Sequence, residues 1–391
     1  MRDTASMPYP AAAPALIARR AHSHERDEQR ALSALAEELE ASGASAVLLF
    51  CSGDHDLGRL GTAIAQTFRA PVAACTGAGL IGAGGFQTGG ITGLSLTCAD
   101  LEMRPLLLSP LSLCQSQAVS LAREQAARAS RRVGSRSFGL LMVDGLSLWE
   151  EYVAAALYES LGNVPVVGGS AAAAGGQDPA VYHSGRFLKG AAVLALFETN
   201  SLAFATFAAQ HFVPSEKKLV ITLADPERRI VYEINGEPAA HSYAQAIGRQ
   251  PAQLTERDFA CNPLLLDLGE QQLPRAIRSL NQQDGSFTMA CAIEEGLVVS
   301  LADSTDPVAA VEAALAQVAE RVPNAAALVV FDCVLRRLEL EARGLDQQVG
   351  ALLSSRHAVG FSGYGEQLGP LHLSHTLTGL ALGTSAAGGH G

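Results

Sequence analysis

Short apolar runs separated by helix-length amphipathic stretches constrain this chain more than any other feature. Ala46–Phe50 (AVLLF), Pro71–Cys75 (PVAAC), Phe138–Val143, Val164–Val167 and Ala326–Cys333 read as buried strands. A helix-compatible segment lies between successive runs, and strand–helix–strand order requires a crossover, so these strands pair in parallel. The pattern predicts helices over residues 25–42, stopped by Gly43, and 113–132. Another is expected over 147–161, with Ser147 as cap and Glu150 at capping-box distance. Asp54 is the expected cap of the helix after the first strand.

Between Ala180 and Ile234 the texture changes to short alternating runs, which predict antiparallel strands. The turn Asn235–Pro238 closes that region and opens a helix. Later come strands near Leu264, Phe287 and Leu297, and helices over 306–320 and 338–354. A chain of 391 residues exceeds what one core usually serves. The expectation is therefore α/β: two mixed α/β domains, the first with parallel strand–helix–strand units followed by antiparallel strands. They span 29–235 and 236–384, between a flexible leader (1–28) and a flexible tail (385–391). Two strands end near a cysteine, at Ala74–Thr76 and Asp332–Val334, which suggests a twofold duplication.

A net charge of −11 with no basic stripe argues against general nucleic-acid binding. Seven cysteines without C-x-x-C spacing suit a reducing cytoplasm better than a disulfide framework. No apolar run is long enough to span a bilayer, so cytoplasmic is the expected location.

Two glycine-rich loops follow strands, at Cys75–Gly90 and Gly168–Gly176. The first contains a formal dinucleotide pattern at Gly77, Gly79 and Gly82, but a strand follows where the fingerprint needs a helix. Closely approaching backbone still suits a small ligand, which makes Cys75, Thr76, Gly79, Gly168, Gly169 and Ser170 one candidate site. The second candidate is the closing stretch Gly360–Gly383, a glycine-rich loop with Tyr364, Glu366, His372 and His375.

In order and combination these segments resemble the FIST sensory proteins. The matching residues are CTGAG at Cys75–Gly79, DGLS at Asp144–Ser147, VVGGSA at Val166–Ala171, the NGEPA turn at Asn235, FDCVLRR at Phe331–Arg337, GYGE at Gly363–Glu366 and HLSHTLTG at His372–Gly379. The resemblance implies an N-terminal and a C-terminal FIST domain and a bacterial intracellular sensor. Such a sensor binds a small ligand and signals to a sensor histidine kinase or a cyclic-di-GMP enzyme. The FDCVLRR and YGEQ segments look closest to the branch that binds haem and senses nitric oxide. On that reading His372 is the axial ligand of the haem iron, because neutral imidazole is the usual donor in gas-binding haems. Arg336 would meet a propionate, and Tyr364, Glu366 and His375 would support it. The alternatives are a haem-free sensor of an amino acid or similar metabolite, held between the glycine-rich loops, and a hydrolase using Cys75 as nucleophile. A homodimer is compatible with each.

Overall fold

The structure is a computed structural model and describes residues 15–130, 134–269 and 271–384. The expected tail, 385–391, and the first half of the expected leader lie outside these residues. The rest of the leader is ordered: Ile17–Ser23 is an edge strand, paired antiparallel with Ile91–Thr97.

The protein is α/β, as expected, with mixed parallel and antiparallel sheets. It repeats three times rather than twice. Each repeat runs edge strand, helix, strand, helix, strand, hairpin, strand, and the third adds one more helix between its two parallel strands. In the first these are Ile17–Ser23, Glu28–Glu38, Ala46–Ser52, Leu57–Thr67, Val72–Gly77, the hairpin Gly79–Gln87, and Ile91–Thr97. In the second they are Glu102–Leu108, Cys114–Ala129, Arg136–Asp144, Glu150–Leu161, Val166–Ala171, the hairpin Val181–Leu188, and Ala192–Thr199. The third begins with Leu202–Ala209 and resumes with helix Pro307–Arg321. It continues through Ala325–Cys333, the helices Val334–Arg343 and Asp346–Ser355, Ala358–Gly363, the hairpin Glu366–Leu373, and Leu377–Thr384. Between its first strand and first helix sits an inserted module, with eight strands and two helices among the described residues and its own core around Tyr243, Phe259 and Phe287.

Each repeat forms a sheet around one parallel pair: Ala46–Ser52 with Val72–Gly77, Arg136–Asp144 with Val166–Ala171, and Ala325–Cys333 with Ala358–Gly363. The hairpins are exchanged in a cycle. The first repeat's hairpin pairs with the third repeat's sheet, the second's with the first, and the third's with the second. Each covers a sheet edge that would otherwise present unpaired backbone. Three backbone hydrogen bonds lock the cycle at equivalent positions: Ala78 N–H to Ser362 O (2.9 Å), Ala172 N–H to Thr76 O (3.1 Å) and Tyr364 N–H to Ser170 O (3.0 Å). The inner faces of all three sheets share one core, in which Phe50, Phe331 and Phe361 meet at ring-centroid distances of 5.2–6.4 Å. The helices cover the outer faces.

The run of short strands between Ala180 and Ile234 is antiparallel, but it is dealt out over all four sheets instead of forming one. Helix boundaries also move. The second repeat's second helix starts at Glu150, and Ser147 accepts from Trp149 N–H instead of forming a capping box. Asp56, not Asp54, caps the helix from Leu57. The expected helix over 338–354 is two helices, broken at Gly344 in a left-handed conformation (φ 68°).

Candidate functional site

Cyclic exchange brings the ends of all three parallel pairs together, and the inserted module lies over that meeting point. A cavity of about 530 Å³ opens there. Ala78 and Gly79 of the first repeat and the loop Ala173–Gly176 of the second form one side. Ser362, Tyr364 and the first two turns of helix Val334–Arg343 form the other, and Glu256, Arg278 and Ala290 of the module close the top. A larger groove, about 700 Å³, runs along the outer rim near Ile17 and Arg19, where Arg19 already pairs with Glu40 at 2.8 Å.

The polar equipment of the cavity is concentrated in the third repeat. Strand Ala325–Cys333 passes directly into helix Val334–Arg343, and the N-cap residue, Cys333, turns only a buried thiol, a weak acceptor, toward the Leu335 and Arg336 N–H groups. Backbone N–H groups at such a terminus favour an anion. Arg337 projects from the same turn. Its guanidinium lies 4.2 Å from the Phe86 ring centroid and its Nε donates to Glu341 at 2.7 Å, while its buried Nη1 has no protein partner among the described residues. Ser362, 1% exposed, likewise has an unpartnered Oγ. A Cβ placed on Gly79 would stand 3.4 Å from Ser362 Oγ and 3.6 Å from Arg337 Nη1, so the absent side chain leaves both groups facing shared space. Tyr364 donates its hydroxyl to Ala173 O at 2.9 Å and ties the glycine-rich loop to the third repeat.

The two candidate sites read from the sequence are thus partly one site. Gly79 and Tyr364 line the same cavity. Thr76, Gly168, Gly169 and Ser170 lie behind it: Thr76 Oγ1 bonds Ala180, Gly169 packs on Phe331 and Phe361, and Ser170 Oγ accepts from Gln367 at 2.8 Å. Cys75 is fully buried in its strand, and burial pushes its thiol well above the usual range, which is the reverse of what a nucleophile needs. Arg336, expected at a propionate, is buried against Asp332 (2.6 Å). Its neighbour Arg337 faces the cavity instead. Glu366 is buried and bonded to Thr376, and burial holds its carboxyl well above the usual range.

His372 does not fit an axial haem ligand as it stands. It is 4% exposed on strand Leu371–Leu373; its Nε2 donates to Ala290 O at 3.2 Å, and its Nδ1 accepts from Gln367 Nε2 at 3.0 Å. Both ring nitrogens are engaged, and one tautomer satisfies both bonds. His375 has two unpartnered nitrogens but is fully buried edge-on against Phe212 at 5.6 Å, and burial depresses it to about 3.

Comparison with protein families matches residues 45–237 to the FIST N domain and residues 239–369 to the FIST C domain. The chain is a FIST-domain protein. FIST domains are sensory modules that bind small ligands. Comparison with curated proteins returns no match. The two FIST segments meet at the strand Glu237–Pro238 inside the inserted module, whereas the three repeats run through that boundary and interleave. Among the described residues no helix is long and apolar enough to cross a membrane.

Proposed function

We propose that this FIST protein senses a small polar metabolite held in the 530 Å³ cavity and reports its occupancy to a separate signalling enzyme, a sensor histidine kinase or a cyclic-di-GMP enzyme. One observation carries the reading: two buried polar groups without partners among the described residues, Arg337 Nη1 and Ser362 Oγ, face the same cavity. Buried polar groups are normally satisfied, so a pair left open beside a cavity marks a place for a ligand. The cavity walls belong to three repeats and the inserted module, so a ligand touching several of them favours one arrangement of the parts. That difference in affinity between arrangements is what a sensor needs. Binding without turnover is favoured by the thiols: burial raises Cys75 and also Cys333 at the cavity wall, leaving neither activated. Haem and nitric oxide receive no comparable support from His372.

Thermal-shift screening of a metabolite collection tests the proposal, with Ala174→Trp as the blocking variant. Ala174 is exposed on the cavity loop, so the bulk should fill the mouth without disturbing a core. A hit that stabilises the wild-type protein by several degrees and not the variant is expected. A hit that stabilises both equally would place the ligand elsewhere. A Soret band on hemin addition that is lost in His372→Ala would restore the haem reading.

A further inference from the structure

The three repeats provide an internal comparison that narrows the ligand's chemistry, provided that the cavity proposed above is the binding site. Backbone hydrogen bonds fix the equivalence: Ser52 N–H to Gly90 O, Asp144 N–H to Ala191 O and Cys333 N–H to Thr376 O occupy the same place in each repeat. The next helix begins differently in each. In the first repeat Asp56 accepts from Gly58 and Arg59 N–H. In the second no side chain caps the helix, and the first-turn Glu150 and Glu151 are both paired with Arg229 of the inserted module. In the third the strand passes straight into an added helix, Val334–Arg343, whose first turn holds no acidic residue and beside which Arg337 projects, while the counterpart helix Asp346–Ser355 again carries an aspartate in its first turn.

We infer that Arg337 Nη1 and Ser362 Oγ, both open to the cavity beside the added helix, receive one oxyanion group of the ligand, a carboxylate or a phosphate. Arg337 Nη1 and Ser362 Oγ would hold it through charge-assisted hydrogen bonds, near the positive end of the helix that begins at Val334. Arg337 is preset for this: Phe86 fixes the plane of its guanidinium and Glu341 fixes Nε, which leaves Nη1 to the ligand. At the cavity's mouth Glu341 and Glu256 oppose a second negative charge, and Arg278 offsets them only in part. The ligand is therefore compact and carries its charge at one end, which excludes polyanions such as nucleoside triphosphates.

Calorimetric titration with matched pairs tests this: monocarboxylates such as L-lactate against their neutral amides, with inorganic phosphate and glycerol phosphate as the second arm and ATP as the polyanion. At least one carboxylate or phosphate should bind roughly 10- to 100-fold tighter than its neutral counterpart. Arg337→Gln should erase that margin, and Ser362→Ala should reduce it. Which arm binds tells carboxylate from phosphate. Ser362→Ala keeps the test independent of the arginine's role in folding, because it removes a hydroxyl that has no protein partner. Hits that compete in the cavity, are lost in Ala174→Trp, and are neutral or cationic would overturn the oxyanion while leaving the cavity in place. Anion binding unaffected by Ala174→Trp would overturn the cavity itself. ATP binding tighter than every monoanion, or no anion binding at millimolar concentration, would also overturn the inference.

Discussion

The first and third repeats share a chain path, a parallel pair and a given-away hairpin, yet they treat the same positions in opposite ways. Where the first passes through a loop into one aspartate-capped helix, the third passes straight from its strand into an added helix that no carboxylate caps. Where the first turns into its last strand on Gly89 at φ 73° and the second on Gly190 at φ 59°, the third has His375 at φ 54°. A side chain with a Cβ in that region is strained, and such strain concentrates at functional places. The first repeat keeps the common pattern, and the third departs from it both at the cavity, with the added helix, and in the core, with His375.

The sharpest way to break this contrast is through pH, because His375 replaces a glycine that cannot titrate. Desolvation holds its imidazole at about 3, with Glu339 opposing that fall and His211 adding to it. A depressed folded-state value means that stability is fully present above the ordinary histidine range and is lost as pH falls toward 3. Between pH 7 and pH 4 the loss from this group is about 3 kcal/mol. Glu366, raised by burial, works in the other direction and loses stability as pH rises above the ordinary carboxylate range, so the two must be separated. Urea denaturation at both pH values, for wild type and His375→Asn, does so: asparagine tolerates the left-handed backbone and removes only the histidine's titration. Parallel losses in the two proteins would show that His375 does not carry the acid limb.

A second test bears on the lock between repeats. Gly77, Ala171 and Gly363 end the three parallel pairs at equivalent positions. A Cβ on Gly363 would collide with Ser170 O, a backbone atom that cannot swing away, whereas Ala171 carries its Cβ within the core. Gly363→Ala should therefore destabilise by about 2–3 kcal/mol. Ala171→Gly should cost about 1 kcal/mol. Equal effects in chemical denaturation would mean that the three closures are not tight in the way the geometry indicates.

Much of the frame was legible. Ala46–Phe50, Phe138–Val143 and Ala326–Cys333 are continuous apolar runs, and strand–helix–strand order dictates parallel pairing. The exchange of hairpins was not, because strands of three residues such as Glu366–Leu368 and Leu371–Leu373 are too short to show a period or name a partner. The third repeat was hidden by the insertion that separates its first strand from its first helix. At the site, Gly79 and Tyr364 stood out as loop residues. Arg337 did not, although consecutive helical residues differ by about 100° in direction and the i,i+4 spacing of Asp332 and Arg336 offers a pairing that takes Arg336 out of the cavity. The hydrophobic neighbours Leu335 and Leu338 flank both arginines equally. Ser362, a small hydroxyl at a strand end, matches no pattern at all.

The smallest expected effect tests the contrast at the helix termini directly. Asp56→Ala removes two hydrogen bonds from the first repeat's helix and should cost about 1 kcal/mol, the usual worth of an aspartate cap. Cys333→Ser is the mirror experiment. It is nearly isosteric, and it replaces the weak thiol acceptor facing the Leu335 and Arg336 N–H groups by a stronger one, so the unliganded protein should gain about 0.5 kcal/mol. The same hydroxyl would occupy an N–H group otherwise left to the ligand, so ligand affinity should fall as stability rises. An ordinary loss of packing would lower both. If the serine variant is more stable and binds no worse, the open terminus is an accident of sequence, and the anion must be held by Arg337 and Ser362 without help from the helix.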